Sequence, residues 1–259
     1  MPTSRPTRST APAPDAPAAG APALAVLAPS PALVPVHEAI VGCRRCPRLR
    51  RYCARIAEQK RAAFRGDRYW GRPVPGFGDP EARILIIGLA PAAHGANRTG
   101  RVFTGDGVGG SGDFLMAALH ANGLASLPVS RGLDDGLRLE GAYIAAAARC
   151  APPDNRPSTA ELRRCLGHLE AEWAALPEVR VVVCLGRIAF DACWRILEAR
   201  GCPRPSPRPP FAHGALAMPA GGPAVLAAYH PSRQNTNTRK LTPAMLEEVF
   251  RKARQLVNW

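Results

Sequence analysis

Three loops in this sequence gather side chains that donate hydrogen bonds, accept them or carry charge. The first runs Gly88-Leu89-Ala90-Pro91-Ala92-Ala93-His94-Gly95 and continues through Asn97, Arg98 and Arg101 to Phe103-Thr104-Gly105-Asp106. The second is Arg149-Cys150-Ala151-Pro152-Pro153-Asp154-Asn155-Arg156-Pro157. The third is His230-Pro231-Ser232-Arg233-Gln234-Asn235-Thr236-Asn237-Thr238. Small residues in the first loop let a backbone approach a flat ligand closely. It is not a dinucleotide fingerprint, because G-x-G-x-x-G is absent after Ile87, and it is not a phosphate-cradling P-loop, because no Gly-Lys-Ser/Thr follows. A second chemistry lies in the thiols. Cys43 and Cys46 form C-x-x-C, and Cys150 and Cys165 stand far downstream. Two distant pairs can converge on one four-thiolate site, which suits zinc or an iron–sulfur cluster, and spacing leaves both open. Cys53, Cys184, Cys193 and Cys202 read as packing residues, since cysteine is commonly buried as a small hydrophobe.

The elements that must position these loops follow from the hydrophobic pattern. Arg83 to Gly88 is a β-branched run ending at glycine and reads as a buried parallel strand. Tyr143 to Ala148 is a second strand, Val179 to Leu185 a third and Ala224 to Tyr229 a fourth. Helices are expected over His37 to Phe64 with a break at Cys43 to Pro47, over Asp113 to Asn122, and over Arg187 to Ala199. Ser158 and Glu161 form a capping box that opens a helix to about Leu176, and Pro243 occupies the first turn of the last helix. Strands alternating with helices imply a three-layer α/β/α domain around a central four-stranded parallel sheet. Ligands of such sheets bind beyond the carboxyl ends of the strands, and all three loops follow strands at that rim. Pro203 to Pro210 reads as a surface excursion.

Composition narrows the partner. The 34 Lys+Arg exceed the 20 Asp+Glu by enough to give a formal charge of +14. Only Lys60, Lys240 and Lys252 are lysines, so a GC-rich coding bias inflates arginine, but that bias does not oblige acids to be scarce. A surplus of this size attracts polyanions, of which nucleic acid is the commonest. No stretch approaches ~18 apolar residues, which argues against a membrane-spanning helix or a membrane partner. Eight cysteines are too sparse for a disulfide scaffold, so a soluble, cytoplasmic monomer is expected. Residues 1–36 are rich in Ala and Pro and are expected to be a disordered tail or a mis-assigned start, leaving one domain over 37–259.

The strings GLAPAAHGANRTGRVFTGD, RCAPPDNRP, CLGRIAFDA, PPFAHGA and YHPSRQNTNT closely resemble the uracil-DNA glycosylase superfamily. Within it they are most similar to family 5, the iron–sulfur type of bacteria and archaea, and the resemblance runs from about Cys43 to the end of the last helix. It implies the glycosylase-like α/β/α fold and DNA containing uracil or other deaminated bases as partner. It also implies a [4Fe–4S] cluster on Cys43, Cys46, Cys150 and Cys165. A glycosylase must extrude a nucleotide and break its C1′–N1 bond, which needs a donor at the base oxygen and an anion beneath the sugar. By resemblance His230 is the donor, Asp106 the anion, and Asn155 assists catalysis or holds the base. For Asp106 the competing role is a turn aspartate. Phe103 is expected to stack on the flipped base, within a cradle of Gly88, Ala90, Pro91, Ala92 and His94. Arg233, Gln234 and Asn235 are expected to enter the minor groove, and Arg98 and Arg101 to touch phosphates or remain solvated surface.

This chain departs from its relatives in three places. Related families place an acid or amide directly after the first-strand glycine, where Leu89 and Ala90 stand here. Ala145 to Ala148 lack the asparagine that reads uracil's imide edge, so a permissive pocket taking hypoxanthine or etheno-cytosine is expected. Arg239 replaces a glycine. Two other classes are carried forward: a protein of this fold that binds uracil sites without turnover, and a zinc-stabilised nucleotide-binding module.

Overall fold

The computed structural model describes residues 30–258; the greater part of the expected tail, 1–29, lies outside the described residues. Chain order is α1 (Leu33–Val41), α2 (Pro47–Gln59), β1 (Phe77–Gly78), β2 (Ile84–Gly88), α3 (Ala96–Thr99), α4 (Ser111–Ala121), β3 (Ala142–Ala146) and α5 (Thr159–Ala174). It continues with β4 (Val181–Leu185), α6 (Arg187–Ala199), β5 (Leu216–Ala217), β6 (Ala224–Ala228), α7 (Arg233–Asn237) and α8 (Pro243–Leu256).

The sheet runs β1-β3-β2-β4-β6-β5. Its central four strands, β3, β2, β4 and β6, are parallel as expected. Two antiparallel edge strands flank them, β1 on β3 and β5 on β6, making a mixed six-stranded sheet. Each edge strand has two residues, too few to print an alternating pattern on the sequence.

Every residue of the four central strands is buried, because helices cover both faces. Ile84, Ile86, Ile144, Val183 and Leu226 pack with α4 and α8 on one face. Leu85, Ile87, Tyr143, Val182 and Val225 pack with α1, α5 and α6 on the other. Alternate residues of one strand thus serve opposite cores. The Ser158 capping box forms with both bonds, Glu161 N to Ser158 Oγ at 3.2 Å and Ser158 N to Glu161 Oε2 at 2.7 Å. Thr242 caps α8 at 3.3 Å from Met245 N, with Pro243 next.

The expected boundary at residue 36 moves earlier. Leu33 to Val36 form the first turn of α1, where Pro35 is tolerated, and Leu33 is 1% exposed in the core under α5 and α6. The proline count concealed a helix whose apolar face is supplied by the domain. Among the described residues no helix is long and apolar enough to cross a membrane. Consecutive strands β2 and β3 lie on one side and β4 and β6 on the other, so the strand order reverses beside β2, where such sheets open a crevice.

Leu33→Ala should cost about 2–5 kcal/mol of stability, the range for a buried leucine that leaves a cavity. Denaturant titration measures it; a change within a few tenths would mean that α1 begins after residue 36.

Candidate active site

A cleft of about 580 Å³ opens at the carboxyl ends of the central strands, within the ~300–1,000 Å³ usual for small-ligand sites. The loops after β2, β3 and β6 all reach it. Leu89, Ala90, Pro91, Ala92, Phe103 and Asp106 come from the first; Asp154, Asn155 and Arg156 from the second; His230, Arg233 and Gln234 from the third. A cavity of about 560 Å³ beside the proline-rich loop is lined by Glu198, Arg204, Arg208 and prolines, and carries none of the motif residues.

His230 follows β6 directly. Its ring stacks on Phe103 at 5.8 Å between centroids and 29° between planes. Burial of the imidazole lowers its pKa to about 4, so it is neutral at pH 7 and carries one N–H to donate. Phe103 holds this position at a cost: its φ is +49°, an outlier for a bulky residue. The ring lies over Gly88 at the end of β2, where a Cβ would sit 2.7 Å from Phe103 Cε2. Gly88 therefore makes room for the aromatic floor and does not itself line the cleft.

Asp106 sits in a niche of glycine. A Cβ on Gly110 would approach its Cγ to 2.7 Å, one on Gly112 its Oδ1 to 2.9 Å, and one on Gly95 its Cβ to 2.9 Å. The carboxylate accepts from Gly112 N at 3.1 and 3.3 Å at the start of α4. Burial pushes its pKa up, while the amides of Gly112 and Ser111 pull the other way. This carboxylate lies in the cleft wall, where desolvation outweighs the backbone donors and leaves it harder to ionise than an exposed aspartate. It accepts from the first turn of α4 and lines the cleft at once, so the turn geometry expected of it does not remove it from the cleft.

Asn155 stands exposed at the cleft mouth. Asp154 and Asn155 take φ of +53° and +55° in succession, and these left-handed residues turn the chain back beside the cleft. Arg156 is pinned behind them, its carbonyl accepting from Arg48 at 3.2 Å, and Arg48 forms a two-pronged pair with Glu161 at 2.7 and 2.8 Å. Arg233 reaches across the cleft and donates to the Asp106 carbonyl at 3.2 Å.

Other expected contacts fall elsewhere. His94 hydrogen-bonds Tyr69 Oη through Nδ1 at 3.0 Å and lies behind the cleft wall. Asn235 turns inward, its Nδ2 donating to the His230 carbonyl at 2.8 Å, which braces the turn that carries the histidine. The stretch after Ser232 is the short helix α7, capped by Ser232 Oγ, where a loop was expected. Arg101 is 2% exposed and locked to Asp135, Thr104 and Ser130, so it is shut away from a phosphate. Arg98 is paired with Asp67 and stacked on Phe64 at 3.9 Å. Ser111, Thr104 and Asp154 line the cleft without having been singled out. The glycine density around Asp106 was the available signal for Ser111.

The four expected ligand cysteines come from three segments. Cys43 and Cys46 lie in the α1–α2 connection, Cys150 follows β3 and Cys165 is on α5; all four line one small enclosed cavity with Arg149, Arg164 and His168. Among the described residues, no group of three or more His, Cys, Asp or Glu is gathered tightly enough to hold a single metal ion. The donor set nevertheless fits an anionic cluster of several irons. The thiols are close enough to raise one another's pKa, and Cys165 is pushed to about 11 by burial. Arg164 beside Cys46 and Arg50 beside Cys150 favour the thiolates. Cys53 packs in the same cluster as Cys46 and Cys150.

A profile of the Uracil DNA glycosylase superfamily matches residues 75–254. The chain is 54% identical over 221 residues to the Type-5 uracil-DNA glycosylase of Thermus thermophilus, covering 85% of this chain and 96% of that one. It is 50% identical over 224 residues to the Type-5 uracil-DNA glycosylase of Mycobacterium leprae, covering 86% and 95%. Against the Type-5 uracil-DNA glycosylase of Pyrobaculum aerophilum the identity is 44% over 214 residues, covering 83% and 88%.

The lowered His230 pKa fixes a pH dependence. Between about 4 and 6.5 the unfolded histidine takes a proton that the folded one refuses, so stability rises with pH across that window. His168, also lowered to about 4, acts in the same direction. His230→Phe should remove part of the slope while leaving the curve level above pH 7. Urea titrations at pH 5 and 7.5 measure this; an identical slope in the variant would show that His230 titrates normally.

Proposed function

This chain belongs to the uracil DNA glycosylase superfamily, and we propose that it hydrolyses the bond joining uracil to deoxyribose in DNA, the opening step of base-excision repair. The observation that carries this reading is a neutral imidazole and a half-buried carboxylate lining one cleft at the strand ends.

The chemistry follows from the charges. As the C1′–N1 bond lengthens, electron density moves to the base and the sugar becomes cationic. His230, kept neutral by burial, donates an N–H to the base oxygen on which negative charge collects. The flipped ring lies against Phe103, which shares a stack with the His230 imidazole. Asp106 carries the counter-charge on the sugar side and orients the attacking water. Asn155 holds the base from the cleft mouth, and Gln234 and Arg233 bear on the DNA beside it. The base is released with a proton, water supplies the hydroxyl at C1′, and the product is an abasic site. Ala146 at the end of β3 offers no amide to the base edge. On that ground the pocket accepts hypoxanthine or etheno-cytosine besides uracil.

Cys43, Cys46, Cys150 and Cys165 would hold a [4Fe–4S] cluster, since all four line one small cavity. Through these residues such a cluster would join the α1–α2 connection to the loop after β3 and to α5, a structural role apart from the cleft.

Asp106→Ala and His230→Ala should each lower single-turnover excision by about 10²–10⁴-fold with DNA affinity changed only a few-fold. Abasic product should accumulate from a uracil-containing duplex, with strand breaks only after alkali. A protein–DNA adduct stable on a denaturing gel would replace hydrolysis by trapping.

Purified protein should absorb near ~400 nm and carry iron and sulfide together. Cys46→Ser and Cys165→Ser should lose both and melt earlier. A colourless, zinc-loaded preparation would overturn the cluster assignment.

A further inference from the structure

Four arginines line the thiol cavity, and among the described residues no carboxylate does. Arg45 and Arg164 are exposed and Arg50 is half-buried, so water screens their charge. Arg149 is 1% exposed and stands directly before Cys150. A charge so far from water needs a counter-charge, and each of its N–H groups needs an acceptor.

The counter-charge lies behind it. Glu172 of α5 meets Arg149 Nη2 at 2.6 Å, takes no part in the cavity wall, and is shared with Gly76 N and Tyr143 Oη. The acceptors are fewer than the donors. Arg149 Nε and Nη1 are buried without a hydrogen-bond partner among the described residues. The main chain beside them is already committed to the thiols. The Arg149 amide donates to Cys165 Sγ at 3.2 Å, and its carbonyl accepts from Val74 N at 2.7 Å. Burial disfavours the Cys165 thiolate, and the two strongest influences against that are the Arg149 charge and this amide. The guanidinium thus joins a carboxylate outside the cavity to the thiols within it, with donors to spare.

A [4Fe–4S] core held by four thiolates carries net negative charge, and its potential responds to nearby charge and to hydrogen bonds at sulfur. Metal-bound histidines follow the same logic, since a carboxylate behind the ring commonly fixes its orientation and its proton. Resting on the cluster assignment above, we infer that the Arg149 guanidinium donates to the cluster's sulfurs and offsets their charge, while Glu172 holds it in place. Arg149 lies outside the cleft lining, so it acts on the cofactor and touches no substrate. Reduction adds negative charge beside this cation. Arg149 accordingly raises the cluster's reduction potential and slows its loss of iron.

Arg149→Met alone would strand Glu172 as an unpaired buried charge, so the test combines it with Glu172→Gln. Glu172→Gln by itself leaves Arg149 in place with its counter-charge removed. Both are compared with wild type as cluster-loaded protein. In a mediated redox titration, one-electron reduction should become about tenfold less favourable in the double variant, ~59 mV lower. It should become more favourable in Glu172→Gln, whose cluster meets an uncompensated cation. A ferrous chelator should draw iron from the double variant about tenfold faster than from wild type, the low end of what losing a supporting group costs in metal affinity. Shifts of the same sign in both variants, or a reduction equilibrium within about twofold of wild type in the double variant, overturn the inference. So does failure of Glu172→Gln to fold with its cluster, because the cluster would then not be balancing the arginine. If the double variant retains no iron, the Glu172→Gln shift decides: a rise upholds the inference and any other result overturns it. Colourless, zinc-loaded wild type would sink the cluster assignment, whereas iron-loaded protein without these shifts sinks only the role of Arg149.

Discussion

A carboxylate can keep its charge away from water only if backbone amides reach it, and at Asp106 that requirement shapes everything nearby. The amides at the start of α4 must come close, so Gly110 and Gly112 have no room for a side chain, and Gly95 gives way on the other flank. The same crowding sets the Phe103 carbonyl against the space that a Gly112 Cβ would need. Phe103 takes a left-handed backbone beside this niche, and its ring lies over Gly88 and stacks on His230. The carboxylate, the aromatic floor and, through the stack, the imidazole thus meet in one crowded wall of the cleft. Local strain of about 1–3 kcal/mol at Phe103 is of the size that a surrounding structure can impose.

The N-terminal segment is joined to the sheet by a different device. Arg149 and Glu172, both fully buried, pair at 2.6 Å behind the thiol cavity. Glu172 also accepts from Gly76 N at 2.6 Å and Tyr143 Oη at 3.3 Å, and Tyr143 meets His37 of α1 at 2.8 Å. A buried ion pair is a weak source of stability and a costly thing to break. Its structural consequence is convergence: α1, the stretch before β1, β3 and α5 all meet at this pair, where Arg149 Nε and Nη1 are buried without a hydrogen-bond partner. That arrangement also brings Cys43, Cys46, Cys150 and Cys165 around one cavity.

The two ionisable groups of the cleft are tuned by one force to unlike ends. Desolvation alone acts on His230 and leaves it neutral; at Asp106 desolvation is opposed by amide donors at a helix start. The imidazole is left neutral, and the carboxylate is left harder to ionise than an exposed one despite its amide donors. The formal charge of +14 serves a separate end, drawing the polyanion in, and the buried arginines show that total charge overstates the cations free to do so.

Much of this was legible in the residue order. The β-branched runs ending at Gly88 and Leu185, the Ser158 capping box and the Thr242-Pro243 helix start depend on neighbours along the chain, and each appears where the pattern placed it. The loops that meet at the cleft were legible for the same reason: they follow parallel strands, and parallel strands end on one rim. What could not be read were features set by packing across the fold. The two-residue strands β1 and β5 exist because a sheet edge was available, and α1 begins at Leu33 because a core received its apolar face. Arg101 became a buried ion-pair partner, His94 a bond to Tyr69 and Asn235 a brace for His230, although their residue types equally suited a ligand. Residue type and spacing state what a side chain is able to do; the partner it meets depends on contacts made dozens of positions away, and distant contacts leave no local trace.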